Sequence, residues 1–341
     1  MNEVAAKKVY SRFGFSYTAL YLVYVAFIAL FLLISNVAFS EGALSGQTQM
    51  IIYFLIRFVI IYPLMFLAIS KLPKFEIKKN KLGVGGFIAC VFITYFVMVA
   101  ANVVGMVLNS LIGGATGNGA VNPLMDVVEN MSPVMMVLFA AIIAPIWEEL
   151  LFRKFLIDRV INYGEVTAML MSGVMFGLYH GNLAQCSYAF AIGCFFAFIY
   201  MRTGKIGYSI AIHMIVNGFS TYLSKFMLSG VNISEMQGYL LNGDTEGYMN
   251  FIQENLAALA GMATVGLFVI VAVFAGLILT ALLHKKFVFE YHEEEIEKGK
   301  RFKTAVLNPG MIVYFIYWIG TIILTQLGIS FVNTFLAKLG G

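Results

Sequence analysis

The strongest constraint on this chain is a series of apolar stretches, each long enough to cross a lipid bilayer. A window of about 19 residues finds nine of them, at residues 18–39, 50–70, 84–112, 132–152, 165–180, 185–201, 206–223, 257–283 and 311–336. Apolar residues make up 60% of the chain and charged residues only 12%, against roughly 25% charged residues in an ordinary soluble domain. A bilayer-spanning helix satisfies its own backbone hydrogen bonds. We therefore predict an all-α, polytopic transmembrane helix bundle of about eight or nine spans.

The basic residues predict which side of the membrane each connector faces. Segments 1–17, 71–83, 153–165, 202–205 and 284–310 hold 19 of the 22 Lys and Arg residues. These segments alternate with connectors that carry almost no positive charge, and Lys and Arg accumulate in cytoplasmic loops. The bias predicts a multi-pass protein of the cell membrane with a cytoplasmic amino terminus and an outer carboxyl terminus. We expect the lipid bilayer as its surroundings and no nucleic acid as a partner.

Three regions differ in what their spans carry. Residues 1–131 provide amino-terminal helices and connectors, residues 132–223 a core of polar side chains within spans, and residues 224–341 carboxyl-terminal helices with a charged cytoplasmic linker at 284–310. We expect the mixed-charge run from Glu290 to Lys303 to be a solvated helix or linker. Arg57 lies inside the second span, and we expect its side chain to reach outward to the interface in preference to forming an ion pair in the bundle.

Polar side chains inside the apolar stretches concentrate in the middle region. Glu148 and Glu149 lie near the end of the fourth span, His180 ends the fifth, and His213 and Asn217 lie four residues apart in the seventh. An ionisable group within the membrane costs about 2.5–3.5 kcal/mol on insertion scales. Several such groups within seventy residues of one another therefore indicate a functional site inside the bundle.

The two adjacent glutamates are predicted to differ in role. In a helix, Glu149 and Arg153 lie on one face with the acid on the amino-terminal side, which is the favoured order for an ion pair. Glu148 points about 100° away and stays free as a candidate general base. Pro145 lacks a backbone donor, so we expect an unpaired carbonyl at Ala141 and a bend beside Glu148.

Helix geometry places these side chains at similar depths. Glu148 lies 16 residues before Gly164, the predicted hairpin tip, and His180 lies 16 residues after it, so both stand about 24 Å from the tip at roughly 1.5 Å per residue. His213 and Asn217 lie 10 and 14 residues after the next turn on that side, which gives depths of about 15 and 21 Å. Three helices can therefore bring these groups into one layer, provided that the fourth helix continues past the membrane surface.

Three short motifs stand in order along these spans: Glu148-Glu149-x-x-x-Arg153, Phe176-x-x-x-His180 and His213-x-x-x-Asn217. Together they resemble the signatures of the CAAX-processing and bacteriocin-processing (CPBP) membrane protease family, the relatives of the type II CAAX prenyl endopeptidase. The resemblance covers residues 132–223. It implies hydrolysis of a peptide bond in a membrane-associated protein or peptide, and it allows prenylated proteins, leader peptides and small signalling peptides as substrates.

The residues of the three motifs suit a mechanism that needs no cofactor. Glu148 and His180 would hold and deprotonate a water molecule. His213 and Asn217 would donate hydrogen bonds to the oxyanion, and donors of this kind typically contribute about 2.7–4 kcal/mol each. The remaining motif residues, Glu149, Arg153 and Phe176, would support the site structurally.

Two other functions remain open. Glu148, His180 and His213 are acceptable zinc ligands, and three ligands with an open fourth position suit a zinc-dependent membrane protease, although the chain contains no HExxH motif. The other function is non-catalytic: in an immunity or transport protein of the membrane, the same polar side chains would only join helices.

Overall fold

The computed structural model describes residues 2–38, 44–119, 121–123, 131–223 and 231–329, and it contains helices and connectors but no β-strand in these ranges. The helices are α1 (Asn2–Ala38), α2 (Gly46–Ile69), α3 (Val84–Thr116), α4 (Pro133–Tyr163), α5 (Glu165–Tyr179), α6 (Leu183–Thr203), α7 (Ile206–Tyr222), α8 (Ile233–Leu241), α9 (Thr245–Glu254), α10 (Leu256–Leu283), α11 (Arg301–Ala305) and α12 (Pro309–Gln326). The predicted all-α class is confirmed.

Among the described residues, seven helices are long and apolar enough to cross a membrane, namely α1, α2, α3, α4, α6, α10 and α12. α5 and α7 are apolar but shorter, so each of the nine predicted segments coincides with one helix over its described residues. Residue 39 of the first segment and residues 330–336 of the ninth lie outside the described part of the chain. Large apolar side chains lie exposed along these helices, among them Val103, Leu267 and Phe274 at 55%, 61% and 61% exposure. Soluble monomers rarely expose contiguous apolar surface on this scale. The fold is therefore a polytopic bundle whose outer surface suits lipid.

The helix α4 extends well beyond its predicted apolar stretch. It contains 31 residues and is about 46 Å long at 1.5 Å per residue, whereas the hydrocarbon core is about 30 Å thick. Arg153 and Arg159, which the sequence places in a charged connector, are fully buried in this extension. Nε of Arg159 donates to the carbonyl oxygen of Ile69 at 3.2 Å. The projecting turns of α4 are thus covered by protein rather than by water.

The backbone of α4 is π-helical at Met136–Ile143, and Ala144 donates its amide to the carbonyl five residues earlier. In a π-turn every donor bonds five residues back rather than four. Pro145 is the next residue and has no N–H, so the carbonyl left without a backbone donor is that of Ala140. The expectation of an unpaired carbonyl at Ala141 assumed α-helical bonding; in the π-helical register the missing N–H falls opposite Ala140, and the pairing of Ala141 itself stays a prediction.

The side of the bundle that holds segments 71–83, 202–205 and 284–310 is called the basic side below. Its assignment to the cytoplasm stays a prediction of the charge bias. The linker 284–310 docks there: the amide of Glu290 donates to Oε2 of Glu165 at 2.7 Å, and the amide of Ile296 donates to the carbonyl of Tyr163 at 3.1 Å. The expectation of a wholly solvated linker is wrong at these residues, because the buried carboxylate of Glu165 needs partners.

Candidate active site

The ring of Phe176, on α5, joins the three motifs. Cζ of Arg153 lies over its face, 4.2 Å from the ring centroid. The imidazoles of His180 and His213 meet the same ring edge to face, with centroid distances of 4.9 and 5.8 Å. Cations are attracted to aromatic faces and ring pairs favour such T-shaped contacts. Motif residues from α4, α5 and α7 thus converge around one aromatic side chain.

Glu149 and Arg153 form the ion pair that their spacing predicts. Nη1 of Arg153 lies 3.2 Å from Oε1 of Glu149, and both side chains are fully buried. The same oxygen lies 3.0 Å from Nδ1 of His213. A carboxylate beside an arginine accepts hydrogen bonds, so Nδ1 of His213 carries a proton and donates it. Glu149 therefore links the first motif to the third and sets the orientation of the imidazole.

Glu148 faces the other nitrogen of the same imidazole. Its side chain is 17% exposed, and its Oε2 lies 3.7 Å from Nε2 of His213. That separation is too long for a direct hydrogen bond, but one water can reach both atoms at about 2.8 Å. The neighbouring glutamates therefore occupy different environments, as their positions on the helix predict.

The imidazole of His180 is held in one tautomer by its own helix. Nδ1 of His180 lies 2.9 Å from the carbonyl oxygen of Phe176, and since a carbonyl oxygen only accepts, Nδ1 carries the proton. The neutral ring then presents Nε2 as an acceptor, which suits a base or a metal ligand. His180 also lies within electrostatic range of Glu148 and His213.

Asn217 contacts α4 directly. Its Nδ2 donates to the carbonyl oxygen of Ala140 at 3.0 Å, which is the acceptor that Pro145 leaves without a backbone donor. The sequence assigned Asn217 only to the oxyanion. One of its two amide hydrogens is used to hold α7 against α4, and the second is the one available to a substrate.

Glycines on α5 and α6 allow this close packing, and the sequence analysis missed them. A Cβ added at Gly193 would lie 3.0 Å from Cα of Gly173, 3.1 Å from Cδ1 of Phe176 and 3.3 Å from Nη2 of Arg153. A Cβ at these distances fits only if its neighbours shift by a few tenths of an ångström. The pattern Gly173-x-x-x-Gly177 was the available signal, because small residues four apart mark close helix contacts in membranes.

The zinc alternative requires Glu148, His180 and His213 to converge on one point. Within the described ranges, no three His, Cys, Asp or Glu side chains are arranged to hold a metal ion. The structure places Glu148 beside His213 and both imidazoles against Phe176, without a three-ligand group.

Arg57 occupies neither of the two positions considered from the sequence. Its Cζ lies 5.0 Å from the ring centroid of Tyr24 and 5.8 Å from that of Tyr21, both on α1. The expectation that this side chain reaches outward to the interface is wrong, because two aromatic faces stabilise the cation within the bundle.

Comparison with known proteins identifies relatives of the segment that forms the site. Residues 130–219 match the family model described as type II CAAX prenyl endopeptidase Rce1-like. The chain is 33% identical over 97 residues to the putative membrane peptidase YdiL of Bacillus subtilis (strain 168), a match that covers 28% of this chain and 39% of that protein.

A second relative is the membrane-embedded CAAX protease MroQ of Staphylococcus aureus (strain USA300). It is 28% identical over 130 residues, which cover 36% of this chain and 52% of that protein. The chain thus matches about half of these curated relatives or less, and no solved structure matches it. The segment that holds all three motifs is similar to the Rce1-like type II CAAX prenyl endopeptidase family, which confirms the resemblance carried by the motifs.

Proposed function

We propose that this chain is a membrane-embedded endopeptidase that hydrolyses a peptide bond in a membrane-associated protein or peptide. The observation that carries the proposal is the partly exposed carboxylate of Glu148, 3.7 Å from Nε2 of His213, whose other ring nitrogen is held by Glu149. In a largely dry site the carboxylate can activate a water, and the oriented imidazole beside it can bind the oxyanion that forms. The names of the two relatives, a membrane peptidase and a CAAX protease, agree with this class of reaction.

In the proposed reaction, Glu148 accepts a proton from a water molecule as the water oxygen bonds to the scissile carbonyl carbon. Nε2 of His180 accepts a hydrogen bond from the same water and orients it. The carbonyl oxygen becomes an oxyanion, and Glu148 then delivers its proton to the leaving nitrogen as the C–N bond breaks. One water is consumed, and the peptide yields a carboxylate and an amine.

His213 and Asn217 are the proposed donors to the oxyanion. Because Nδ1 of His213 already donates to Glu149, only the doubly protonated ring can donate from Nε2. Asn217 would use the amide hydrogen that is not committed to Ala140. This requirement on the protonation of His213 comes from its contact with Glu149 and is not evident from the motif itself.

Substitution of Glu148 by Gln tests the proposed base. The change keeps the shape of the side chain but removes its basicity, so we expect cleavage to fall by roughly 100-fold or more with little change in melting temperature. Membrane peptides from cells that express wild type, Glu148→Gln or the exposed control Glu297→Gln would be compared by mass spectrometry, which would also identify the substrate.

Cleavage that survives in Glu148→Gln contradicts the assignment of the base. Retained biological function without any cleavage would favour the immunity or transport alternative. Candidate substrates for this comparison include prenylated proteins, leader peptides such as those of bacteriocins, and small signalling peptides.

Metal analysis separates the glutamate mechanism from the zinc-dependent one. Purified protein would be assayed for zinc content and for cleavage before and after treatment with a chelator. Full activity at a zinc content well below one ion per chain supports the glutamate mechanism. Loss of cleavage on chelation, with recovery when zinc is restored, assigns the reaction to the metal.

A further inference from the structure

Arg57 is a cation within the membrane-spanning part of the bundle. The proposed reaction does not use it. It lies on α2, 11 residues after Gly46, and so about 16 Å along the helix from that end. The helix is π-helical from Ile56 to Ile61, and π-turns are frequent at functional sites. A cation at such a depth is costly and is a functional-site candidate by default.

The surroundings of Arg57 are aromatic, and they leave its hydrogen-bonding capacity unused. The guanidinium lies over the rings of Tyr24 and Tyr21. Its Nε is buried without a hydrogen-bond partner, and none of the ion pairs in the described part of the chain includes Arg57. Among the described residues, Arg57 therefore presents a charge and a buried N–H donor without an anionic partner.

Arg57 lies close to the proposed catalytic groups. The guanidinium of Arg57 lies over the ring of Tyr21, whose centroid is 5.5 Å from that of Tyr179, the residue before His180. The ring of Tyr62 lies 6.4 Å from that of Tyr179 and 5.8 Å from that of Trp147, the residue before Glu148. A continuous set of aromatic side chains thus links Arg57 to the neighbours of the proposed base and of His180.

We propose that Arg57 binds a carboxylate of the peptide that is cleaved beside Glu148. The inference rests on the proposed function and names its substrate class: peptides that bring a carboxylate, from a carboxyl terminus or from an acidic side chain, into the membrane near the scissile bond. Guanidinium groups bind carboxylates through two parallel N–H···O hydrogen bonds. The low dielectric of the surrounding aromatic side chains strengthens that attraction. The headgroups of lipids remain at the interface, so the depth of Arg57 favours a peptide over a lipid.

The two tryptophans of the chain report on this region without any turnover. The ring of Trp318 lies 4.6 Å from that of Tyr21 and 4.8 Å from that of Tyr179. The ring of Trp147 lies 5.8 Å from that of Tyr62. Intrinsic fluorescence therefore measures the binding of a peptide next to Arg57.

The experiment titrates the full-length protein in lipid nanodiscs with three probes. These are an apolar hexapeptide with a free carboxyl terminus, the same peptide with a terminal amide, and the amidated peptide with one residue replaced by Glu. We expect wild type to bind one carboxylate form at least about tenfold more tightly than the neutral amide, and the form that it prefers identifies the source of the carboxylate.

Variants assign the preference to Arg57. Arg57→Gln should abolish the preference for a carboxylate peptide while leaving the affinity for the neutral amide unchanged. Arg57→Lys keeps the charge but not the bidentate geometry, so it should lower the preference without abolishing it. The control Arg12→Gln removes a cation at the basic side whose Nε donates to the carbonyl of Ala68, and it should leave the preference intact.

Equal binding of the three peptides by wild type overturns the proposal. An unchanged preference in a folded Arg57→Gln protein overturns it as well, and if that variant does not fold, an unchanged preference in Arg57→Lys does the same. A carboxylate preference without cleavage of any peptide supports the Arg57 site and contradicts the endopeptidase proposal. Cleavage without a carboxylate preference contradicts the Arg57 site and supports the endopeptidase proposal.

Discussion

At the residue scale, the site depends on a carboxylate that we do not assign to the chemistry. Glu149 neutralises Arg153 and also accepts the hydrogen bond from Nδ1 of His213. Both partners are needed, because a buried charge is tolerated only when it is paired and hydrogen-bonded. The ion pair between Glu149 and Arg153 thus sets the orientation of the His213 imidazole beside Glu148.

Replacing Glu149 by Gln is expected to destabilise the protein. The change leaves the guanidinium of Arg153 buried without an anion, and breaking one side of a buried pair costs about 3–5 kcal/mol. We expect a clear fall in melting temperature in detergent together with loss of cleavage, whereas the partly exposed Glu148→Gln should lose cleavage only.

A second variant separates charge from shape at this pair. In Glu149→Gln combined with Arg153→Met, no unpaired charge remains, so part of the lost stability should return. Cleavage should stay low, because a neutral amide oxygen holds Nδ1 of His213 less strongly than the carboxylate does. Equal stability of wild type and Glu149→Gln would show that the pair is not the support described above.

At the scale of helices, α4 is joined to α7 at a backbone carbonyl of α4 that has no donor within its own helix. After the π-helical turns this is the carbonyl of Ala140, because Pro145 has no N–H, and the side-chain amide of Asn217 on α7 donates to it instead. The break in one helix is therefore an attachment point for another. This contact explains why a carboxamide suits this position even before any substrate is bound.

A double-mutant cycle tests that attachment. Asn217→Ala should cost about 1 kcal/mol, because it removes the hydrogen bond to the partly buried carbonyl of Ala140. Pro145→Ala supplies a backbone N–H at the gap, so Asn217→Ala should cost less in that background. The cycle is measured by chemical unfolding in detergent, and strictly additive effects would contradict the shared acceptor.

The packing of α5 on α6 gives a further prediction. Gly193→Ala places a Cβ 3.1 Å from the ring of Phe176 and 3.3 Å from Arg153, so we expect reduced cleavage and a loss of roughly 1–3 kcal/mol from overpacking. Gly207→Ala is the matched control on α7, since a Cβ there meets nothing within 4 Å. That control should be neutral or stabilising by up to about 1 kcal/mol.

At the scale of the whole molecule, the linker 284–310 fastens the carboxyl-terminal helices to the hairpin of α4 and α5. Glu165 opens α5 and is 2% exposed. Its carboxylate accepts the amide of Glu290 and pairs with Arg202 and with Nε2 of His292. One buried carboxylate therefore joins three parts of the chain on the basic side.

Substitution of Glu165 by Gln should release this linker. The change removes the charge that holds Arg202 and His292, so we expect faster trypsin cleavage after Lys285 and Lys286 in nanodiscs, read by mass spectrometry. Glu297→Gln alters an exposed pair with Lys300 in the same linker and should leave the cleavage rate unchanged. Equal rates for Glu165→Gln and wild type would contradict the docking.

Features set by neighbours along the chain could be predicted from the sequence. The helices at the nine apolar stretches follow from the length and apolarity of each stretch, because a bilayer requires every spanning segment to satisfy its own backbone. The Glu149–Arg153 pair follows from helical spacing. The three motifs indicated the family and the residues of the candidate site.

The tertiary structure alone decided how those helices are rotated and joined. The ring of Phe176 between two imidazoles, the bond from Asn217 to Ala140 and the aromatic surroundings of Arg57 all connect residues far apart in the chain. Such contacts depend on helix rotation, tilt and local π-turns, none of which leaves a periodic pattern in the sequence. The sequence by itself therefore determined which polar groups lie at the depth of the site, and only the packed bundle determined which atoms they face.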